Sequence, residues 1–303
     1  MERLRSENAR LIALLETHGI EWRIPKPVAV VGQELEPSRL STAEKVALFR
    51  RLFRGRTDVY PVRWEGKNSG KSGYAPACAN EWRAGVCEKP RIKCGDCSNR
   101  LLIPLSDAVI YDHLSGAHTV GVYPLLEDDT CYFLAVDFDE ADWRDDARAF
   151  IQSCEELGVP AALEISRSGN GAHAWVFFAN RVSARDARRL GTAIISHTCA
   201  RARQLKLASY DRLFPNQDTM PKGGFGNLIA LPLQKRPRER GCSVFVDAQL
   251  QPYQDQWAVL ASIKPMAPHD IEPTIQRATG GVHPLDVTFI DDEDLATPWK
   301  LQS

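Results

Sequence analysis

In CYFLAVDFDE (131–140) an apolar run ends in two aspartates, Asp137 and Asp139, with Phe138 between them. Successive side chains on a strand point to opposite faces, so the two carboxylates share one face and Phe138 takes the other. Side by side at the end of a buried strand, they repel each other and resist desolvation. Something must offset that charge. A catalytic role is one answer; a pair of helix N-terminal acids is the other, since a helical pattern begins soon after.

A second stretch bears on the choice. EISRSGNGAHAWVFF (164–178) reads as a strand, a Gly-rich turn and a strand. Gly169 and Gly171 let backbone amides converge on an anion. Ser168 can donate its hydroxyl, and His173 opens the next strand. The set has the shape of a triphosphate receptor; the plainer reading is an ordinary hairpin with a satisfied strand histidine. A third acid follows in YDRLFPNQD, either Asp211 or Asp218.

The third cluster is sulfur. CANEWRAGVCEKPRIKCGDC places cysteines at 78, 87, 94 and 97, the last two as a CxxC knuckle with Gly95 in the turn. The segment has no core of its own, and four thiolates around one Zn²⁺ would hold it together. The alternative is free thiols plus a redox CxxC, but the βαβ setting of a thioredoxin-like motif is missing. Lys89, Arg91, Lys93 and Arg100 decorate the module, and Trp82 is available for stacking, which suits contact with single-stranded nucleic acid. Cys131, Cys154, Cys199 and Cys242 lie in apolar runs and are expected in the core. GKNSGKSG (66–73) imitates a phosphate loop but is one residue short between Gly66 and the Gly70-Lys71 pair, and no helix pattern follows. It reads as a flexible basic loop.

These groups need a frame. Residues 3–18 form a helical pattern with Leu4, Leu11 and Leu15 on one stripe, too short for a lone coiled coil. A second helix is predicted over 41–54, with Ser41 and Glu44 as a capping box and Gly55 as the stop. From 106 the pattern alternates: strands near 120–125 and 131–138, a helix over 143–157, strands 161–166 and 173–179, a helix from Ser183 to about 207, then a loop and strands 227–233 and 243–247. This order predicts an α+β fold, a split βαβ sheet with helices on one side. The divisions are an N-terminal helical segment (1–59), the cysteine module (60–105), the α/β body (106–270) and an acidic, partly ordered tail (271–303).

The formal net charge of −1 does not by itself indicate nucleic acid. Basic residues nevertheless crowd 50–56, 201–206 and 235–240, and a near-neutral chain can carry a basic groove; solvated helix faces are the plainer reading. Apolar runs are too short for a membrane span. MERLRSENAR has no signal-peptide core, so a cytoplasmic location and reduced thiols are expected.

Together the motifs resemble the archaeo-eukaryotic primase superfamily, whose three motifs are an hDhD strand, an sxH strand and an hD strand. Here they match Val136-Asp137-Phe138-Asp139, Ser168 to His173, and Tyr210-Asp211. YAPACANEWRAGVCEKPRIKCGDC, SGNGAHAWVFF and YDRLFPNQDTMPKGGFGNLIALPLQ resemble most closely the primase-polymerases of TOTE conflict systems and their CRISPR- and phage-associated relatives, over about residues 1 to 265. The resemblance implies an RRM-like catalytic core with an inserted zinc-binding module, and a DNA primase-polymerase making and extending primers on single-stranded DNA from dNTPs or NTPs. It implies that Asp137, Asp139 and Asp211 (or Asp218) hold two Mg²⁺ or Mn²⁺ ions, that Ser168 and His173 contact the triphosphate, and that Lys222 reaches phosphate or template, with Arg167 and Lys235 as further candidates. One structural Zn²⁺ falls to Cys78, Cys87, Cys94 and Cys97. Many TOTE proteins continue into helicase and nuclease domains, so this chain is expected to be a stand-alone enzyme or one domain of a longer protein, with helicase or nuclease components of a mobile-element or defence system as partners. The rivals are a metal-dependent nuclease, which needs no triphosphate receptor, a non-catalytic zinc-containing adaptor, and a DxD glycosyltransferase.

Overall fold

The computed structural model describes residues 37–66, 70–139, 142–201 and 210–281, together with Glu7, Arg10, Leu11, Leu14 and Thr17 of an N-terminal helix. The chain divides into two units, Met1–Leu35 and Glu36–Ser303. In the first, Arg10 pairs with Glu7 at 2.8 Å and Leu11 is exposed. Leu4 and Leu15 of the expected stripe lie outside the described residues.

In the second unit, alternating apolar and aromatic side chains build a five-stranded sheet. Its strands are β4 (Thr130–Phe138), β5 (Ala161–Ile165), β6 (Ala172–Ser183), β7 (Tyr210–Phe214) and β9 (Val244–Val246), in the order β7-β4-β6-β5-β9. Every neighbouring pair is antiparallel. Helix α3 (Trp143–Leu157) carries the chain from β4 to β5, and α4 (Ala184–Arg201) carries it from β6 to β7. Each crossover therefore skips one strand, which is the split βαβ arrangement.

Trp143, Ala147, Phe150, Cys154 and Leu157 recur at helical spacing and are the buried stripe of α3; Gly158, at φ +71°, ends it. Phe150 meets Phe138 at 5.5 Å between ring centroids, which puts α3 on the face of Leu134, Val136 and Phe138. At Gly191 of α4 a Cβ would come within 2.9 Å of Leu213 and 3.1 Å of Leu134, so glycine lets this helix approach the same face.

The opposite face carries Phe133, Trp175 and Phe177. It is capped by α1 (Thr42–Leu52), whose Ser41–Glu44 capping box is formed as expected. Phe53, just past that helix, meets Trp175 and Phe177 edge-on at 5.0 and 5.2 Å. Edge-on aromatic pairs add about 0.5–1.5 kcal/mol each beyond burial. Residues 41–54, grouped by sequence with an N-terminal segment, thus help to build the main core.

Several elements differ from the sequence reading. Residues 60–76 contain a hairpin, β1 (Pro61–Glu65) with β2 (Ser72–Pro76), in which the Trp64 ring lies over Gly73. The end of the expected basic loop, Ser72 and Gly73, is therefore strand, and Lys67–Ser69 lie outside the described residues. Residues 210–214, read as loop from the pattern but matched at Tyr210-Asp211 to the family's hD strand, form edge strand β7. Residues 271–279, read as the start of the tail, form a helix that buries Ile271, Thr274 and Ile275. The expected strands at 120–125 and 227–233 shrink to β3 (Gly121–Val122) and β8 (Ile229–Ala230), which pair with each other outside the main sheet. Helix α2 (Asp107–Ser115) was not foreseen. The expected end of α4 near residue 207 lies outside the described residues. Cys131 and Cys154 are buried as expected, but Cys199 and Cys242 are partly exposed.

Candidate active site

The register brings the chemical residues into one row. His173 of β6 lies opposite Asp137 of β4 on one side and Glu164 of β5 on the other. A bulge lies where β7 passes the end of β4, between Val136 and Phe138, and Asp211 enters from that stretch of β7. Asp137, Asp139 and Asp211 offer carboxylate oxygens all within 4.8 Å of one another. Asp218, the other candidate third acid, is instead paired with Arg188 at 2.6 Å.

Gly171 makes the close approach possible. A Cβ there would sit 2.4 Å from Asp139 Oδ1 and 2.5 Å from the Phe138 carbonyl. Arg212 Nε donates to Asp211 Oδ2 at 2.6 Å and neutralises part of the cluster.

Burial pushes the Asp137 carboxyl up to about 6; the cation at His173 pulls it down, while Asp139 and Asp211 raise it further. Burial opposes charge on His173, but Glu164, Asp137 and Asp139 outweigh it and push the imidazole up to about 9. The direction at Asp137 has a testable sign. A cation needs the carboxylate form, so protonation competes with it. Mn²⁺ affinity is expected to fall roughly tenfold from pH 7 to pH 5 on account of Asp137, whereas an ordinary carboxylate would leave it nearly flat over that interval. Mn²⁺ titration followed by paramagnetic resonance measures this, and equal affinities at the two pH values would contradict it.

The remaining sequence candidates are placed as follows. Ser168 sits in the exposed turn, where its hydroxyl bonds Ser166 Oγ at 3.0 Å and accepts from Asn170 N–H at 3.1 Å. Arg167 lies within electrostatic reach of Tyr74, whose hydroxyl is buried. Lys222 lines a cavity of about 480 Å³ with Arg56, Arg100 and Phe225, whose walls include none of the three acids. Lys235 lies on the short helix Lys235–Arg238, 4.0 Å from Glu239. Much of the basic run 50–56 is committed to partners: Arg50 to Asp107, Arg54 over the Tyr132 ring, and Arg56 to Asp58 and Glu127.

The four module cysteines line one small cavity of about 20 Å³. Leu101 N–H donates to Cys78 Sγ at 3.3 Å. An all-thiol donor set around an enclosed space suits a tetrahedral soft-metal site. Among the described residues, however, the three acids are the one group of three or more with ligand atoms all within 4.8 Å of one another, so no three of these thiols meet that distance. Trp82 is 69% exposed with φ at +59°, and Lys89 Nζ lies 5.7 Å from its ring centroid. Arg100 ties the module to the 221–225 loop by donating to Gly223 O at 3.0 Å.

The family model described as "TOTE conflict system, Archaeo-Eukaryotic Primase domain" matches residues 44–274. The chain belongs to this archaeo-eukaryotic primase family. The match runs from within α1 to the helix at 271–279, so it takes in the acid cluster, the Gly-rich turn and the cysteine module. This archaeo-eukaryotic primase domain is accordingly placed among nucleotidyltransferases. Among solved structures, the chain matches the polymerase domain of Mycobacterium tuberculosis ligase D in complex with DNA, with 12% identity, 81% of this chain and 91% of that one covered, and a TM-score of 0.34. Likeness at that level carries no weight, and the assignment rests on the family match. No curated protein matches. Among the described residues of this primase domain no helix is long and apolar enough to cross a membrane.

Sequence reasoning missed Glu164 and Trp175. Both stand in the stretch that contains His173, and the period-2 spacing of 173 and 175 puts those two on one face. Glu164 joins them only through the β5–β6 register.

Proposed function

We propose that the chain is a template-dependent nucleotidyltransferase, a DNA primase-polymerase that makes and extends primers on single-stranded DNA. The observation that carries this reading is the convergence of Asp137, Asp139 and Asp211 beside His173 and the Gly-rich turn. A nuclease needs the acids but not the receptor next to them.

In the reaction the primer 3′-hydroxyl oxygen bonds to the α-phosphorus of the incoming nucleotide. The bond to the bridging oxygen breaks, pyrophosphate leaves, and the hydroxyl proton passes to solvent. Divalent ions held there would supply charge neutralisation and a more acidic hydroxyl. Asp137, Asp139 and Asp211 present the oxygens to hold Mg²⁺ or Mn²⁺, and their mutual repulsion is what such ions would relieve. His173 would turn an N–H toward the triphosphate, while in the turn beside it Gly169 N–H donates to Ser166 O and Asn170 N–H to Ser168 Oγ, which fixes the turn's shape. The rest is positioning. Cys78, Cys87, Cys94 and Cys97 would hold one Zn²⁺ that gives the module its stability. Exposed Trp82 beside Lys89 supports stacking with a template base.

The test is unprimed single-stranded DNA with labelled dNTPs or NTPs and Mg²⁺ or Mn²⁺, with products resolved by length. Templated products are expected; cleavage without extension would favour the nuclease. His173→Ala is expected to weaken triphosphate binding roughly tenfold or more, the size of a lost charge-assisted bond, and to leave template binding nearly unchanged. The reverse pattern in equilibrium binding would remove His173 from the triphosphate.

A further inference from the structure

Glu164 is 1% exposed, yet it lies on the row that carries His173 and Asp137. A carboxyl buried this deeply needs donors. It has two, both on one oxygen: His173 Nδ1 at 2.8 Å and Trp175 Nε1 at 3.0 Å. An indole N–H can only donate, so Oε2 is an acceptor. Trp175 is itself immobile. It is fully buried, stacked on Phe177 at 6.1 Å, and packed against Phe133 and Phe53 at 5.2 and 5.0 Å. The aromatic core therefore holds Trp175, Trp175 helps to hold Glu164, and Glu164 holds one edge of the His173 ring.

The other edge is left available. His173 Nε2 lies 3.5 Å from Asp137 Oδ1, beyond the length of a good hydrogen bond. With Nδ1 committed to Glu164, Nε2 faces the acid cluster with capacity for a further acceptor. The bond one imidazole nitrogen makes decides how the other is presented. We propose that Glu164 is a positioning residue: its reach across β5 and β6 aims His173 Nε2 at an anionic oxygen of the bound nucleoside triphosphate. It touches neither nucleotide nor metal. This rests on the triphosphate reading of the site and extends it by naming what orients the imidazole.

Reach and charge separate in two conservative variants. Glu164→Gln keeps the length and an acceptor for both donors but removes the carboxylate. Glu164→Asp keeps the carboxylate but withdraws it by one methylene, so it cannot bond His173 while holding Trp175. If placement is the function, Glu164→Gln keeps dGTP and GTP affinity in Mn²⁺ within about threefold of wild type, and Glu164→Asp loses roughly tenfold or more. Template affinity, measured with oligothymidine, stays level in both. A residue that only supplied charge or stability would give the opposite order, or no change in nucleotide affinity of the folded protein, and either result overturns the proposal. Extension assayed alongside separates the two ideas. Wild-type protein that binds nucleotide but never extends would remove nucleotidyl transfer and leave the role of Glu164 to the binding data. Extension with both variants matching wild type in KM and kcat would remove Glu164 and leave the transfer reading. Wild-type protein that binds no nucleotide would remove both.

Discussion

Asp137→Ala is expected to lose templated synthesis by roughly 10³-fold or more, several kcal/mol of barrier, while the sheet stays folded. Loss of activity follows from the position of Asp137: it shares the 4.8 Å cluster with Asp139 and Asp211 and also faces His173. Survival of the fold follows from the electrostatics. Burial and two neighbouring carboxylates hold its pKa near 6, so ionised Asp137 is a cost to the metal-free protein. Alanine removes that cost, although it also leaves His173 with one partner fewer. Asp139→Ala should behave alike in synthesis. Asp218→Ala is the control: its carboxylate is paired with Arg188 on a partly exposed surface, and such pairs contribute about 0–1 kcal/mol. Primer extension and thermal melting measure both expectations. Near-normal extension by Asp137→Ala or Asp139→Ala would remove the metal-assisted reading.

The second large effect is expected in the cysteine module. Chelation of one tightly bound Zn²⁺ per chain, or the double change Cys94→Ser, Cys97→Ser, should unfold the module locally and leave the sheet standing. The two regions have separate supports. The sheet is held by Trp175, Phe133, Phe177 and Phe53, whereas the four cysteines surround one small cavity in a turn-rich segment. De novo priming should fall further than primer extension, because no duplex anchors an initiating nucleotide and positioning must come from protein. Loss of the module would also free Gly223 from Arg100, and with it the loop bearing Lys222. Metal analysis finding no zinc would remove the premise. Equal loss of both activities in a protein whose sheet is still folded would leave the zinc and remove the priming role.

Local rules made a good part of this legible. The strand alternation that puts Asp137 and Asp139 on one face needs only neighbours in sequence, as do the capping box at Ser41 and the apolar stripe of α3. The CxxC knuckle and the Gly-rich turn are equally local. The hairpin at 61–76 and edge strand β7 were obscured because their side chains are largely half-exposed or solvent-facing, so little hydrophobic pattern marks them. The helix at 271–279 was hidden by its acidic and proline-containing surroundings, although Ile271 and Ile275 have helical spacing.

By itself the sequence determined the chemical inventory: two carboxylates on one strand face, a histidine after a glycine turn, four cysteines in a core-poor segment, and the family motifs that contain them. The tertiary structure decided their partners. Asp211 rather than Asp218 joins the cluster because β7 lies beside β4 and bulges where they pass, while Arg188 on α4 takes Asp218. Glu164 meets His173 because β5 and β6 pair in one register, and a slip of one residue would turn it to the other face. Lys222 lines another cavity because the chain after β7 runs on to Arg56 and Arg100. Strand alternation is a property of adjacent residues, whereas register between strands is set by the packing of both sheet faces at once, and that is why the second could not be read from the first.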